Sequence, residues 1–421
     1  MNTGSWTFLH AADLHIDSPL RGLSAYEGAP VEELRLATRE AFGRLVEVAI
    51  QRGVAFVILA GDVFDGDWPD YDSGLWFTGQ MRALEAEGIR VFLLRGNHDA
   101  ESKVTRHLRW ANNVHVFDAQ EPESIEVSDL GVVLHGQSFE QAATKDNLAL
   151  RYPQARDGRL NIGVLHTALG GRAGHDNYAP CSLEDLRSRG YDYWALGHVH
   201  KREIVAEDPW VVFPGNTQGR HVGETGAKGA TLVHVREGKI HELEAIHCDV
   251  ARWSHLRIDV AGAAHEDALI ASCETELRTA FAAADERLLA VRMTLLGSTE
   301  LDASLRLDEL RLRQEIRALA GRISSSLWVE KVIFKTSPLE EDEQASSGLL
   351  GLAQRILEAE VSDEELAIQG KGFEKLASRL PAEILAEWNP TDRHSLQRVL
   401  DPARRYLAAL LGNEAEGEQE R

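Results

Sequence analysis

The sequence has few cysteines and no long apolar run. The three cysteines, Cys181, Cys248 and Cys273, are far apart and odd in number, so we expect neither a disulfide framework nor a zinc ribbon. We expect the protein to work in the reducing cytoplasm. No apolar stretch approaches the roughly 18 residues that cross a bilayer. The first residues carry no basic segment, so we expect no secretory signal and no membrane span.

Basic residues are also in the minority, with 45 Lys and Arg against 67 Asp and Glu, a formal net charge of −22. A module that holds nucleic acid by bulk electrostatics should be basic, so this balance argues against a passive DNA-binding domain. The charge is uneven, however. Residues 249–337 hold 12 basic and 14 acidic side chains, whereas residues 338–421 hold 9 and 18. The middle of the chain is therefore nearly neutral, and its last part is acidic.

Residues 1–248 alternate strand-like apolar runs with amphipathic stretches such as 33–51, in which apolar residues recur at helical spacing. The runs lie at 7–11, 55–60, 90–95, 132–135, 161–166, 193–196 and 210–213. This alternation predicts an α/β layered core.

The rest of the chain has a different pattern of predicted strands and helices. In residues 249–337 the pattern predicts strands at 255–260, 288–296 and 327–335 and helices at 266–283 and 304–322, which is a small α+β domain. Residues 338–347 are interpreted as an acidic linker and residues 413–421 as a disordered tail. Between them, residues 348–412 are predicted to be helical, in segments at 349–360, 363–368, 373–380 and 393–411.

Five short polar motifs follow strand-like runs in residues 1–248. They are Asp13-x-His15, Gly61-Asp62-x-x-Asp65, Gly96-Asn97-His98-Asp99, His166 and Gly197-His198-x-His200. In open α/β sheets, ligands bind where loops leave the carboxyl ends of strands. Each motif alone could be an ordinary turn or surface segment, but the five together at strand exits favour one site.

The chemistry of these motifs suits metal ions. Carboxylates and neutral imidazoles are good ligands for Mn²⁺, Fe²⁺ or Zn²⁺, and the motifs contain no cysteine for a thiolate site. Asp62 has two oxygens with which to bridge two ions. A pair of cations polarises a phosphoryl oxygen and generates a nucleophile from water, which suits the hydrolysis of phosphodiesters.

In this set and order, the motifs resemble those of the calcineurin-like metallophosphoesterases. Over the whole chain the sequence is similar to the SbcD/YhaO type of bacterial DNA repair exonuclease, through residues 10–22, 195–202 and 213–221. The resemblance implies a metallophosphoesterase-type layered β-sandwich flanked by helices over residues 1–248. It also implies that residues 249–337 form an α+β cap that shapes DNA, with a helical C-terminal region beyond it.

The resemblance also implies roles for individual residues. It gives seven ligands for two Mn²⁺ ions, with Fe²⁺ or Zn²⁺ as alternatives: Asp13, His15 and His200 for one ion, Asn97, His166 and His198 for the other, and Asp62 as the bridge. His98 would protonate the leaving oxygen or stabilise the transition-state charge, and Asp65 would orient its imidazole. A neighbouring carboxylate does raise the pKa of a histidine and fix its tautomer. Asp99 is expected to accept from a ligand or a turn amide, and His10 to be a core residue.

The motifs that resemble a metal site do not by themselves identify the substrate. Serine/threonine phosphatases carry an arginine directly after the second motif, whereas here Asp65 is followed by Gly66 and Asp67. Arg95, before the third motif, does look phosphatase-like and either contacts a phosphate or packs at a strand end. Three alternatives therefore stay open beside a nuclease: a phosphomonoesterase, a cyclic-nucleotide phosphodiesterase and a scaffold subunit with a vestigial site.

Several residues are candidates to contact DNA. Arg95, Arg202, Arg220, His221 and Lys228 are candidate phosphate contacts, although each is also compatible with an ordinary surface charge. Trp68, Tyr71 and Trp76 either stack on unpaired bases or pack in the core.

These observations predict a Mn²⁺-dependent DNA exonuclease subunit that hydrolyses phosphodiester bonds by two-metal-activated water. The helices in residues 348–412 carry an apolar stripe that either docks onto a partner's helices or packs against the cap. By resemblance, the partner is an SbcC/YhaN-like coiled-coil ATPase, and a homodimer is also expected.

Overall fold

The computed structural model describes residues 4–20, 23, 26, 28–65, 72–101, 110–170, 178–339 and 388–419, together with short stretches within 352–385. The chain forms two compact units. The first comprises residues 1–254, 280–291 and 326–330, and the second comprises residues 255–279, 292–325 and 331–421.

The first unit is built on two six-stranded sheets flanked by helices. Its strands are β1 (Ser5–Ala11), β2 (Phe56–Ala60), β3 (Arg90–Leu94), β4 (Val114–Val116), β5 (Glu123–Val127), β6 (Val132–Gly136), β7 (Leu160–His166), β8 (Tyr193–Gly197), β9 (Glu203–Glu207), β10 (Trp210–Phe213), β11 (Gly229–Arg236) and β12 (Lys239–His247). The helices that accompany them are α1 (Val31–Gln51), α2 (Asp72–Ala86), α3 (Asn97–Glu101) and α4 (Leu183–Arg187), with a 3₁₀ turn at Leu148–Arg151.

The order of the strands brings the polar motifs to one end of the two sheets. The first sheet runs β12-β11-β1-β2-β3-β4 and the second runs β5-β6-β7-β8-β10-β9. Strands β1 to β4 are parallel, as are β6, β7 and β8. The register pairs Ala60 with Leu94 and His166 with Gly197, so the carboxyl ends of neighbouring strands are level. Each of the five motifs begins at such an end or just beyond it.

Three apolar layers hold these sheets. Alternate residues of a strand point to opposite faces, so Phe8 and Ile58 enter the layer between the sheets, whereas Leu9 and Leu59 face α1 and α2. Tyr193 packs between the sheets from the second one. A third layer covers the outer face of the second sheet. Full burial of one side chain of this size stabilises the fold by roughly 1.5–3 kcal/mol. This arrangement confirms the predicted α/β layered fold.

Three further strands form a small sheet in the order β13 (Ala251–Asp259), β14 (Leu288–Ser298) and β15 (Leu327–Ser337). The remaining helices are α5 (Glu266–Ala283), α6 (Asp302–Leu307), α7 (Glu309–Ile323), α8 (Glu374–Ala377) and α9 (Arg393–Gln419). Within the second unit, α9 packs against α6. No helix of the described residues is long and apolar enough to span a membrane.

The differences from the sequence predictions are local. The helix predicted at 304–322 is two helices, α6 and α7, separated by Asp308. Residues 413–419, expected to be part of a disordered tail, continue α9. The domain boundary predicted after residue 248 stays a prediction, and the two compact units are interleaved along the chain, with 280–291 and 326–330 in the first unit. Most of the predicted linker 338–347 and the helices predicted at 349–360 and 363–368 lie outside the described residues.

Five strands of the first unit, β4, β5, β9, β11 and β12, were not predicted. Strands β4, β5, β9 and β12 are mostly part-exposed and carry many polar residues, so their apolar pattern is weak. The pattern of β11 is stronger, because most of its residues are buried.

Two core histidines are neutral in the folded protein. His10 accepts from the Tyr193 hydroxyl and donates to the Leu196 carbonyl, and His135 accepts from Ser124 and donates to Asn161. Burial lowers the pKa of His10 to about 3 and that of His135 to about 4. His10 is therefore a core residue, as expected.

We predict that acid destabilises the metal-free protein through these histidines. The unfolded chain takes up their protons near pH 6.5, whereas the folded chain does so only near pH 3–4, so stability falls as the pH drops between those values. Each group contributes about 1.4 kcal/mol per pH unit. In urea denaturation with EDTA at pH 6.5, 5.5 and 4.5, His135→Gln should show a pH slope shallower by about that amount. Equal slopes in the variant and the wild type would contradict the assignment.

Candidate metal centre

The first group of donors joins the loop after β1 to the loop after β8. Asp13, His15 and His200 lie close enough together to hold one metal ion. The Nε2 atoms of His15 and His200 are 3.1 Å apart, and Nε2 of His200 is 3.8 Å from a carboxylate oxygen of Asp13. The Asp13 carboxylate also accepts from the backbone N–H of His198 at 3.0 Å, which fixes one loop against the other.

The second group lies at the ends of β2, β3, β7 and β8. Asp62, His166 and His198 form a further set that could hold a metal ion. Nε2 of His166 is 3.0 Å from Oδ1 of Asn97 and 3.4 Å from Oδ2 of Asp62. The opposite nitrogen, Nδ1, donates to the Ala60 carbonyl at 2.9 Å. That bond fixes the tautomer that leaves Nε2 free to bind a cation.

The backbone is unusual at four of these residues. Asp13, His15, Asp62 and His198 have φ values of 52°, 43°, 53° and 97°. Left-handed backbone costs a residue with a side chain roughly 1–2 kcal/mol. Strain of this kind persists where the surrounding structure enforces it, and it is concentrated at functional sites.

Two glycines make room for the donors. Gly61 has a φ of 97°, and a Cβ there would overlap the imidazole of His166. A Cβ at Gly96 would overlap the carboxylate of Asp62. Substitution of either glycine would therefore push a donor out of place.

The donor set fits two divalent cations. Asp13 and Asp62 are fully buried, and among the described residues only imidazoles form ion pairs with them. Burial raises the pKa of Asp13 despite the imidazoles beside it. Buried carboxylates are costly unless they are paired or coordinate a metal. Two carboxylates, four imidazoles and an amide oxygen suit Mn²⁺, Fe²⁺ or Zn²⁺.

His98 and Asp65 form the predicted dyad beside these donors. Nδ1 of His98 is 2.9 Å from Oδ1 of Asp65, and Oδ2 of Asp65 accepts from the Ser18 hydroxyl at 2.7 Å. His98 also belongs to a possible metal-binding group with His15 and Asp62. Burial opposes a charge on His98, but the bond to Asp65 and the charge of Asp62 outweigh it and raise its pKa to about 9. His98 is about one third exposed, so a substrate can reach it.

Asp99 supports the turns that carry the donors. Its carboxylate accepts from the backbone N–H groups of Val63, Phe64 and Gly96 at 3.1–3.2 Å. This confirms the expectation that Asp99 binds turn amides. Burial and the nearby charge of Asp62 raise the pKa of Asp99 to about 6.

Two of the predicted phosphate contacts bond to other groups of the protein. Lys228 is buried and donates to the His200 carbonyl at 2.9 Å, so its assignment as a surface contact is wrong. The guanidinium of Arg220 lies between two carboxylates, Asp65 and Glu224, instead of being exposed at the rim. His221 is exposed, and Arg95 and Arg202 are partly so.

The aromatic candidates divide in a similar way. Trp76 packs edge-on against Phe42 in the layer beneath α1 and α2, with the guanidinium of Arg39 over its ring. Of the two interpretations of Trp76, these contacts favour core packing over stacking on bases. Trp68 and Tyr71 lie outside the described residues.

Sequence reasoning missed Glu224. Its Oε1 accepts from Nδ1 of the candidate ligand His200 at 2.6 Å. The available signal was a lone acidic residue in the turn-rich segment after the fifth motif.

Comparison with known proteins agrees with this geometry. Residues 7–202 match the family model of the calcineurin-like phosphoesterases, and residues 253–337 match that of the metallophosphoesterase YhaO middle domain. The chain is 39% identical over 273 residues to "Uncharacterized metallophosphoesterase YhaO" of Bacillus subtilis, a match that covers 64% of this chain and 66% of that protein. The chain belongs to the calcineurin-like metallophosphoesterases, in their YhaO type.

More distant relatives of this metallophosphoesterase carry the name "DNA double-strand break repair protein Mre11". The chain is 24% identical over 288 residues to the protein of Methanopyrus kandleri, covering 62% of this chain and 60% of that one. It is 24% identical over 229 residues to the protein of Sulfurisphaera tokodaii, covering 51% and 57%. The chain thus spans about two thirds or less of the length of each of these relatives.

We predict that Asp62→Ala abolishes tight binding of both metal ions, because this carboxylate lies within reach of donors from both groups: His166 and His198 on one side and His15 on the other. Elemental analysis after dialysis against Mn²⁺ should find about two equivalents in the wild type and far less than one in the variant. The matched control is Asp129→Ala, which removes an exposed carboxylate paired with Arg90. A variant that keeps one full equivalent would show that Asp62 is not the bridge.

Proposed function

We propose that this protein is a Mn²⁺-dependent DNA nuclease, acting as an exonuclease, that hydrolyses phosphodiester bonds. The observation that carries the proposal is the position of His98. It is a partly exposed imidazole, held by Asp65 and placed at the edge of a buried set of metal donors. The names of the Mre11 relatives support a DNA substrate.

The residues around the site have distinct tasks in this reaction. When bound, two divalent cations supply Lewis-acid activation of the phosphate and of water. His98 is partly exposed and held by the Asp65 carboxylate, so it can deliver a proton to the leaving oxygen. Asp65 accepts a hydrogen bond from Nδ1–H of His98, which leaves Nε2 of His98 to face the substrate. The buried donors Asp13, Asp62 and His166 exclude water from the side of the site opposite the substrate.

A polymer substrate fits better than a small ester. The arginine of the serine/threonine phosphatases is missing after Asp65, and residues 253–337 match a domain found in YhaO. We assign to that domain the role of a cap that shapes DNA, with His221, Arg95 and Arg202 as the remaining candidate phosphate contacts. A scaffold with a vestigial site is disfavoured because all seven predicted donors are present and converge.

One observation keeps a phosphomonoesterase or cyclic-nucleotide phosphodiesterase as the second candidate. Arg95 is partly exposed and stands directly before the Gly96–Asp99 motif, as it does in phosphatases. Its guanidinium can contact the phosphate of a small ester.

The proposal predicts Mn²⁺-dependent release of nucleotides from linear DNA, and much slower turnover of phosphomonoesters and cyclic nucleotides. In His98→Ala, turnover of DNA should fall by about 10²–10⁴-fold, the usual contribution of a general acid, while both Mn²⁺ equivalents remain bound. The assay compares single-stranded DNA, duplex ends and small esters under the same conditions.

The matched control is His241→Ala, because His241 is an exposed histidine of the same unit on β12. It should leave turnover unchanged. Activity confined to small esters would defeat the nuclease proposal, and full activity in His98→Ala would remove the role given to this imidazole.

We also propose that α9 docks onto an SbcC/YhaN-like coiled-coil ATPase. This helix packs against α6, yet Val399, Tyr406 and Leu407 are 51%, 47% and 50% exposed. Residues seven and eight apart lie on one face of a helix, so these side chains form a continuous apolar stripe. Such a face suits a groove between the helices of a partner. The expected homodimer stays a prediction.

The double variant Tyr406→Asp with Leu407→Asp should lose co-purification with a co-expressed ATPase of this type, because it places two charges in the apolar stripe. Gln397→Asp, at an exposed polar position of the same helix, should retain it. Equal recovery of the complex with both variants would exclude this face as the interface.

A further inference from the structure

The candidate ligand His200 is held from behind by Glu224. Nδ1 of His200 donates to Oε1 of Glu224 at 2.6 Å, so that Nε2 faces Asp13 and His15. Glu224 is only 6% exposed and is itself fixed by Nδ2 of Asn216 at 3.0 Å. A carboxylate behind a metal-binding histidine orients the ring and makes its other nitrogen a stronger ligand.

The proton donor His98 is held by Asp65 in a similar way. The oxygen of Asp65 that does not face His98 accepts from Ser18 at 2.7 Å and from Nη1 of Arg220 at 3.3 Å. Although burial opposes ionisation, the His15 and His98 imidazoles keep the pKa of Asp65 well below its usual range.

Arg220 connects these two carboxylates. While Nη1 donates to Asp65, Nη2 donates to Oε1 of Glu224 at 3.0 Å, and the backbone N–H of Arg220 donates to Oε2 of Glu224 at 2.7 Å. The side chain is 14% exposed. Its planar fork can serve two acceptors in fixed directions, which the point charge of a lysine cannot do. With both ends of the guanidinium engaged, little of its charge is left for a substrate phosphate.

We infer that Arg220 and Glu224 are positioning residues. Arg220 braces Asp65 and Glu224 together, so that one guanidinium sets both the imidazole that donates the proton, His98, and the imidazole that binds metal, His200. This inference rests on the proposed function for the role of His98. The part that concerns His200 and metal binding does not depend on the substrate.

The first test measures metal binding without substrate. Wild type, Glu224→Gln and a matched surface variant, Glu237→Gln, are titrated with Mn²⁺ while free Mn²⁺ is followed by electron paramagnetic resonance. Glu224→Gln keeps the shape of the side chain but removes its charge, so we expect one of the two Mn²⁺ affinities to fall about 10–100-fold. Glu237→Gln should change neither affinity. Unchanged affinities in Glu224→Gln would overturn the role of Glu224.

The second test separates positioning from substrate contact. Arg220→Ala, Arg220→Lys and the surface control Arg236→Ala are assayed on linear DNA and on bis(p-nitrophenyl) phosphate. A positioning role predicts that Arg220→Ala lowers kcat by a similar factor on both substrates, with little change in KM, and that lysine restores only a small part. A rise of KM for DNA alone, fully rescued by lysine, would instead make Arg220 a phosphate contact and overturn the inference.

Thermal unfolding of each variant identifies any that fails to fold, and Glu224→Gln then carries the test, because it is nearly isosteric. The nuclease activity and the positioning of His200 are tested separately. If the wild type cleaves no DNA but Glu224→Gln still weakens Mn²⁺ binding, the nuclease proposal falls and the positioning of His200 stands.

Discussion

Two carboxylates lie buried among imidazoles at the rim of the two sheets, and the surrounding loops are shaped to hold them there. Asp13 and Asp62 are almost inaccessible to water, and their described ion-pair partners are histidines. Burying a charge in this way is costly unless a cation or several hydrogen bonds compensate. The left-handed backbone at these two residues and the close approach of Gly61 to His166 are further costs in the same few loops. They are understandable if the site is shaped for metal ions rather than for the stability of the metal-free chain.

The two sheets hold this arrangement together because each orients side chains that the other supplies. His166, at the end of β7 in the second sheet, donates to the carbonyl of Ala60 in the first. Asp13, after β1 in the first sheet, accepts from the backbone of His198 after β8 in the second. Such bonds fix the donor loops of one sheet against the other sheet, which is the rigid support that a metal site requires.

The sequence allowed the position of this site to be predicted, because the carboxyl ends of parallel strands meet at one edge and the five motifs each follow a strand. It did not allow the bracing by Arg220 and Glu224 to be predicted, since Arg220 meets Asp65 across 155 positions of sequence. Lys228 shows the same limit: residue type suggested a surface cation, but the fold turns its ammonium inward to a backbone carbonyl. Strands β4 and β12 were not predicted because their residues are partly exposed, which leaves only a weak alternation of apolar and polar residues.

The positive charges that are not already in ion pairs determine how strongly this protein can attract a polyanion. The chain carries a net charge of −22, and the guanidinium of Arg220 is already shared between two carboxylates. The arginines of residues 249–337 offer less free charge than their number suggests, because Arg278, Arg311 and Arg313 each form ion pairs with glutamates. Paired charges attract phosphates weakly, and salt screens what remains at the surface. Under the proposed function, a DNA substrate would therefore be attracted mainly by the cations of the site and by the proposed partner, because the chain itself offers few unpaired positive charges.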